Sequence, residues 1–282
     1  MQARAAQLAY QKVTPISGWF SREAAMLFAC LDETQGREGI RGDFFEIGVH
    51  HGRSAVFLAS MRRAPGESLG VCDLFGAQTG NVSRSGAGDR AIFEANLRRA
   101  AGTQSNVRIF QQSSSTLRPA DIGSSYRFVH IDGGHNADEA LGDLRLAAEV
   151  TVPGGIIALD DAINPVWPGV AEGLMCFLRE RADYCVALLG FNKAILCRRD
   201  VANMYVTPCE SEGVRSGYGL TYPWHLKQLP LAGFSARIFF VPSYVSTSSM
   251  GARLHRLYYA NQWTRSPIFR PVWKLLRVPQ SG

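Results

Sequence analysis

Short apolar runs alternate with amphipathic stretches along most of the chain. Over residues 21–35, Ser21 offers an N-cap, and Ala24, Ala25, Leu27, Phe28 and Leu31 recur at helical spacing. Asp43-Phe44-Phe45-Glu46-Ile47-Gly48 predicts a buried strand running into a glycine turn, and residues 54–59 predict the helix that follows. Residues 68–73 read as a second strand, and a Gly/Ser-rich loop fills 76–89, long enough for a lid or binding loop. A helix is expected over 90–101, with Ile92, Phe93 and Leu97 on one face. Further strands are expected at 107–111, 126–132 and 156–160. Helices are expected at 138–150, stopped by Pro153-Gly154-Gly155, and at 169–182. Two last strands, 184–189 and 193–197, are joined by Gly190-Phe191-Asn192, a link that suits an antiparallel pair.

Strands that alternate with helices predict an α/β fold with a parallel, doubly wound sheet. The closing hairpin adds an antiparallel edge. The expected organisation is one domain over 1–200, with a helical N-terminal segment, and an extension over 201–282 that is turn-rich, aromatic and basic.

Composition narrows this picture. The chain has 282 residues, of which 46% are hydrophobic and 19% charged, enough to bury a sizeable core without staples. Its apolar runs are too short for a transmembrane helix. The first thirteen residues lack the apolar core of a signal peptide, so a cytoplasmic location is expected. The six cysteines, Cys30, Cys72, Cys176, Cys185, Cys197 and Cys209, are scattered, mostly in apolar surroundings. No zinc-ligand spacing joins them, so they read as reduced core thiols. The net charge of +6 hides an asymmetry: no Asp or Glu follows Glu212, while nine Lys and Arg do. The basicity thus belongs to the C-terminal segment.

Candidate chemistry sits where the expected strands end, the edge at which open α/β sheets bind ligands. The first feature is the glycine turn Glu46-Ile47-Gly48-Val49-His50-His51-Gly52. It lets the backbone approach a ligand, but it is not the GxGxxG dinucleotide fingerprint. The second is Asp73, at the end of the next strand, where a carboxylate can accept from ribose hydroxyls or simply face solvent. The third is His130-Ile131-Asp132-Gly133-Gly134-His135, which brings Asp132 to the sheet edge and turns His135 back towards it. The fourth is Ile156-Ile157-Ala158-Leu159-Asp160-Asp161. Acids gathered after apolar runs are costly without a cation among them, and a hard ion such as Mg²⁺ answers that need. Alternatively, these acids only cap the helices that follow.

Together these motifs resemble the class I S-adenosylmethionine-dependent methyltransferases, in the branch of the macrocin-type sugar O-methyltransferases. The similarity spans about 18–199. Its most specific parts run from Phe45 to Ser54, from Ile131 to His135 and from Pro153 to Asp161. The resemblance implies a Rossmann-like, seven-stranded sheet whose last strand is antiparallel. It implies S-adenosylmethionine as cofactor, with Glu46, Gly48, Gly52 and Ser54 around its methionine end. Asp73 would hold the ribose, Ser113 would lie near the adenine, and Asp132 would stand beside the cofactor. It further implies a divalent metal, Mg²⁺, on Asp132, Asp160 and Asp161, and catalysis by Asp132 and His135, with His135 as general base. The paired His50-His51 in the glycine turn is bulkier than the pattern.

The implied acceptor is a hydroxyl of a small molecule or oligosaccharide. Trp167, Tyr218, Tyr222 and Trp224 are available to stack on a sugar, or to pack in the core. A phenolic acceptor, a nicotinamide-dependent oxidoreductase and a non-catalytic cofactor-binding domain are the competing readings, and the missing GxGxxG counts against the oxidoreductase. The segment 251–278 interleaves arginines with aromatic and leucine residues. It could form a homo-oligomer contact, lie on an anionic membrane or line an acceptor entrance. No nucleic-acid partner is expected, because no recognised module accompanies the charge.

Overall fold

The computed structural model describes residues 1–81, 85–101 and 106–241. The chain begins with helices α1 (Ala3–Val13) and α2 (Arg22–Arg37), then β1 (Asp43–Ile47), α3 (Arg53–Ser60) and β2 (Leu69–Cys72). It continues through α4 (Arg90–Ala101), β3 (Val107–Phe110), α5 (Pro119–Ile122), β4 (Tyr126–Ile131), α6 (Ala137–Val150), β5 (Thr151–Leu159) and α7 (Pro168–Glu180). The described chain closes with β6 (Tyr184–Gly190), β7 (Lys193–Arg198), α8 (Ala202–Glu210), α9 (Glu212–Tyr218), β8 (His225–Leu231) and β9 (Phe234–Phe240).

The strands form one sheet in the order β3-β2-β1-β4-β5-β7-β6-β9-β8. Strands β1 to β5 pair in parallel, and β7 runs antiparallel between β5 and β6. The order reverses between β1 and β4, which opens a crevice at their C-terminal ends. This is the expected Rossmann-like α/β fold, with differences in strand number, edge and boundaries. The sheet has nine described strands rather than seven, because the β8–β9 hairpin docks in parallel on β6. For the same reason the β6–β7 hairpin is interior, and β8 is the edge. The expected boundary at residue 200 lies inside one compact unit, Met1–Phe240. Residues Pro153-Gly154-Gly155 do not stop α6: Thr151 already opens β5, and a register shift in β4–β5 absorbs them.

Alternation in the strands feeds two cores. Phe44, Phe128 and Ile156 face α2, α3 and α8, while Phe45, Val129 and Ile157 face α6 and α7. Helix α2 is buried nearly all round, and Ser21 caps it by accepting from the Ala24 N–H at 3.1 Å. Within this layer Arg127 of β4 is fully buried and donates to Asp32 and Gln35, each at 2.7 Å. All six cysteines are free, and five are buried. Among the described residues no helix is long and apolar enough to cross a membrane. The readings of 251–278 as an oligomer contact, membrane anchor or acceptor entrance lie outside the described residues.

Phe28 packs edge-on against Phe128 at 4.9 Å and against His130 at 5.2 Å, with no exposed surface. Phe28→Ala is expected to cost about 3–5 kcal/mol of unfolding free energy. Chemical denaturation checks this, and a loss below about 1 kcal/mol would show that the layer repacks.

Candidate active site

The sheet ladder itself assembles the site. Beyond the last paired residues, the Gly48 N–H donates to Cys72 O at 2.9 Å, the Asp132 N–H to Ile47 O at 2.7 Å and the Asp160 N–H to Ile131 O at 2.8 Å. The ends of β2, β1, β4 and β5 are thereby locked side by side. Gly48 has φ 80°, and a Cβ there would fall on the Asp132 carbonyl, so only glycine fits. The turn then passes through His50 (φ 52°) and Gly52 (φ 89°) into α3. His50 stacks on His51 at 3.9 Å and meets Trp19 at 5.4 Å. Burial, helped by His51, lowers the pKa of His50.

Asp73 holds this turn. Its Oδ2 accepts from the Val49 and His50 amides at 2.6 and 2.8 Å, and its Oδ1 from the Phe75 amide at 2.5 Å. A carboxylate offers about four acceptor positions, so one remains for a ligand hydroxyl. Ser113 stands beyond β3 and accepts from the Ser115 amide at 3.3 Å; it belongs to a local turn, apart from the carboxylate group.

Beneath the turn, Glu46 and His130 are fully buried and 2.7 Å apart. Burial drives the Glu46 pKa up to about 8, against the opposing pull of Ser54 and Lys193. Burial, and then Lys193, holds His130 well below the usual imidazole range. Glu46 Oε2 and His130 Nε2 are buried with no hydrogen-bond partner among the described residues.

The expected carboxylates do meet. Asp132, Asp160 and Asp161 line a pocket of about 10 Å³ together with Gly133, Gly134 and His135, room for about one water. Asp161 stands at φ 57°, a left-handed position that is costly for aspartate and typical of functional turns. Its Oδ2 lies 2.9 Å from His135 Nε2, and its Oδ1 accepts from Asn164 at 2.8 Å and Asn192 at 2.5 Å. Burial raises the Asp161 pKa, but these hydrogen bonds overcome it and hold the group at about 2. The ionised carboxylate fixes the proton of His135 on Nε2, which leaves Nδ1 as an acceptor. The Ser85 hydroxyl sits on that Nδ1 at 2.9 Å, and the Trp167 ring stacks on the imidazole at 4.3 Å.

Sequence reasoning missed Lys193. Its side chain is 2% exposed and ion-paired with Asp160. Burial opposes its charge, yet Asp160, Asp132 and Asp161 hold its pKa above the ordinary lysine value. The available signal was a lysine opening the otherwise apolar run Ala194-Ile195-Leu196-Cys197. Asn164, Asn192 and Ser85 carried no signal of their own. Of the aromatic candidates, Trp167 reaches the site. Tyr218 is instead core, its hydroxyl donating to Glu33 at 2.6 Å, and Trp224 packs on Phe191 at 4.6 Å.

The divalent ion expected on Asp132, Asp160 and Asp161 fits these residues poorly. Two donor groups are spaced for a metal, His130–Asp132–Asp160 and Asp132–His135–Asp161. Lys193 already faces the first, and the His135–Asp161 hydrogen bond occupies the second. Asp132 alone of the three carboxylates has no hydrogen-bond donor among the described residues, and burial with Asp160 raises its pKa.

Residues 45–162 match the profile of a family described as "Methyltransferase domain". This segment is a methyltransferase domain. The methyltransferase domain thus contains the glycine turn, Asp73, Asp132, His135, Asp160 and Asp161. No curated protein matches the chain. Among solved structures it is similar to the O-methyltransferase NovP, with 16% identity and a TM-score of 0.51 over 61% of this chain and 78% of that one. It is also similar to CalS11, a TDP-rhamnose 3'-O-methyltransferase of calicheamicin biosynthesis, with 19% identity and a TM-score of 0.47 over 70% and 93%. An O-methyltransferase from Bacillus cereus solved with SAH has 15% identity and a TM-score of 0.47 over 70% and 90%. The likeness to NovP is one of fold.

Glu46 sets a pH dependence. Its folded pKa of about 8 lies above the ordinary glutamate value of 4.5, so the folded state keeps a proton that the unfolded chain releases. Its contribution is therefore full below about pH 4.5 and is lost as pH rises through about 8. Thermal melts should show stability falling between about pH 4.5 and pH 8, and Glu46→Gln should flatten that fall. Equal slopes in both proteins would mean that Glu46 ionises normally.

Proposed function

We propose that the chain is an S-adenosylmethionine-dependent O-methyltransferase whose acceptor is a small-molecule hydroxyl of the sugar or glycoside class. The observation that carries this reading is the Asp161–His135 pair inside a methyltransferase domain, with a hydroxyl, that of Ser85, on the accepting ring nitrogen. The sugar class rests on the macrocin-type pattern of the Ile131–His135 and Pro153–Asp161 motifs.

The residues fit the cofactor. The positive-φ turn at Gly48 and Gly52 leaves its backbone open, the Glu46 Oε2 is buried without a partner, and Asp73 keeps a free acceptor position. On this reading Glu46, Gly48, Gly52 and Ser54 surround the methionine end, Asp73 takes the ribose, Ser113 borders the adenine, and Asp132 stands near the reacting centre. When bound, S-adenosylmethionine supplies an activated methyl group on its sulfonium.

The protein's own part is to hold the acceptor and to take its proton. An acceptor hydroxyl that displaces Ser85 would meet His135 Nδ1 at hydrogen-bond distance. His135 would remove the proton as the oxygen attacks, and Asp161 would stabilise the imidazolium formed. Trp167 backs the imidazole and keeps its plane fixed, so that oxygen, methyl and sulfur can line up.

Transfer of labelled methyl from S-adenosylmethionine to a panel of sugars, glycosides and phenols tests this. Transfer to a sugar hydroxyl is expected, with His135→Ala about 10²–10⁴ slower and cofactor affinity nearly unchanged. Transfer to phenols alone would move the acceptor class. Near-normal turnover in His135→Ala would remove it as the base.

A further inference from the structure

Acids gathered at the ends of β4 and β5, with Asp160 buried and Asp132 and Asp161 half-buried, need a positive partner, and the chain brings one of its own. Phe191 (φ 55°) and Asn192 (φ 68°) form a tight two-residue hairpin turn between β6 and β7. The turn sets Lys193 at the first position of β7, a buried strand adjacent to β5. Lys193 points under the site, with its Nζ against Asp160 Oδ2 and 5.9 Å from the centre of the Phe20 ring.

The acceptor atoms of the carboxylates are largely engaged by protein donors. Asp160 Oδ2 has Lys193, and its Oδ1 accepts from the Asp161 amide at 2.7 Å and Asn192 at 3.2 Å. Asp161 has His135 on one oxygen, and Asn164 and Asn192 on the other. An amide NH₂ group and an ammonium are not ligands for a cation, and the ammonium repels one. A hard divalent ion takes six or more oxygens, or several waters and a few carboxylates, at about 2.0–2.6 Å. Here it would have to share Asp160 with a buried ammonium and break the His135–Asp161 bond.

We propose that the Lys193 ammonium is the resident cation of this site, taking the place of a divalent metal beside Asp160 and Asp132, so that methyl transfer runs metal-free. The proposal rests on the methyltransferase reading. Lys193 is a positioning residue: it fixes Asp160, whose Oδ1 shares Asn192 with Asp161, and Asp161 in turn orients His135.

The test uses the full chain. Mn²⁺ is titrated into EDTA-treated protein and followed by electron paramagnetic resonance, and methyl transfer is assayed with and without EDTA. The wild type is expected to bind no stoichiometric Mn²⁺ in the micromolar range and to keep its turnover in EDTA. Lys193→Met, checked for folding by circular dichroism, is expected to lose about tenfold or more in turnover and to gain a Mn²⁺ site, because Asp132 and Asp160 are then left without a cation. A loss of structure alone would not create that site. One tightly bound Mn²⁺ in the wild type, or turnover abolished by EDTA and restored by Mg²⁺, would overturn the proposal. So would a folded Lys193→Met with normal turnover. If that variant does not fold, the wild-type titration decides. Cofactor binding is measured on the same samples: its absence would sink the methyltransferase reading, while the Mn²⁺ titration still reads the Lys193 site.

Discussion

The contact between Lys193 and Asp160 is the constraint around which the site is arranged. Both groups are buried, so each would be costly alone, and each is tolerable because the other is there. Their pairing permits a second and a third acid, Asp132 and Asp161, at the same sheet edge. It links two distant parts of the sequence: β5, which ends in the acids, and the β6–β7 turn, which delivers both Lys193 and Asn192. The inserted antiparallel strand β7 therefore does more than complete the sheet, since it carries the site's cation.

The parallel half of the sheet contributes position. Hydrogen bonds that continue the ladder past Ile47, Ile131 and Cys72 fix Gly48, Asp132 and Asp160 relative to one another. The glycine turn rests on Asp73, which accepts three backbone amides from it and from its own loop. The result has two compartments: a turn of open backbone suited to a cofactor, and a pocket of carboxylates and imidazole suited to proton transfer. Glu46 and His130 lie buried beneath them. Cofactor affinity reads the first compartment and turnover the second, which is why the two are measured separately.

Much of this was legible in the chain. Most of strands β1 to β7 announce themselves because they are short, mainly apolar and bounded by Gly, Pro or Asp. The acids at their ends stand out because the residues before them are apolar. Strands β8 and β9 were not legible: β8 is a mostly exposed edge strand with Pro230 inside it, so neither alternation nor a continuous apolar run marks it. The pairing of Glu46 with His130 joins residues 84 apart in sequence, and only the parallel register of β1 and β4 brings them face to face. Lys193 was hidden for a similar reason: a charged residue at the first position of a strand ordinarily faces solvent, and its burial depends on the carboxylates of another strand. The three acids alone suggested a metal, and the cation opposite them changes that reading.

The central claim is that the turn between β1 and α3 holds the adenosyl cofactor. Calorimetric titration of the full chain with S-adenosylhomocysteine tests it without turnover. The account predicts one molecule bound per chain in the micromolar range, weakened about tenfold or more by Asp73→Ala, which removes a ribose acceptor. Absence of binding, or equal affinity in wild type and Asp73→Ala, would contradict it.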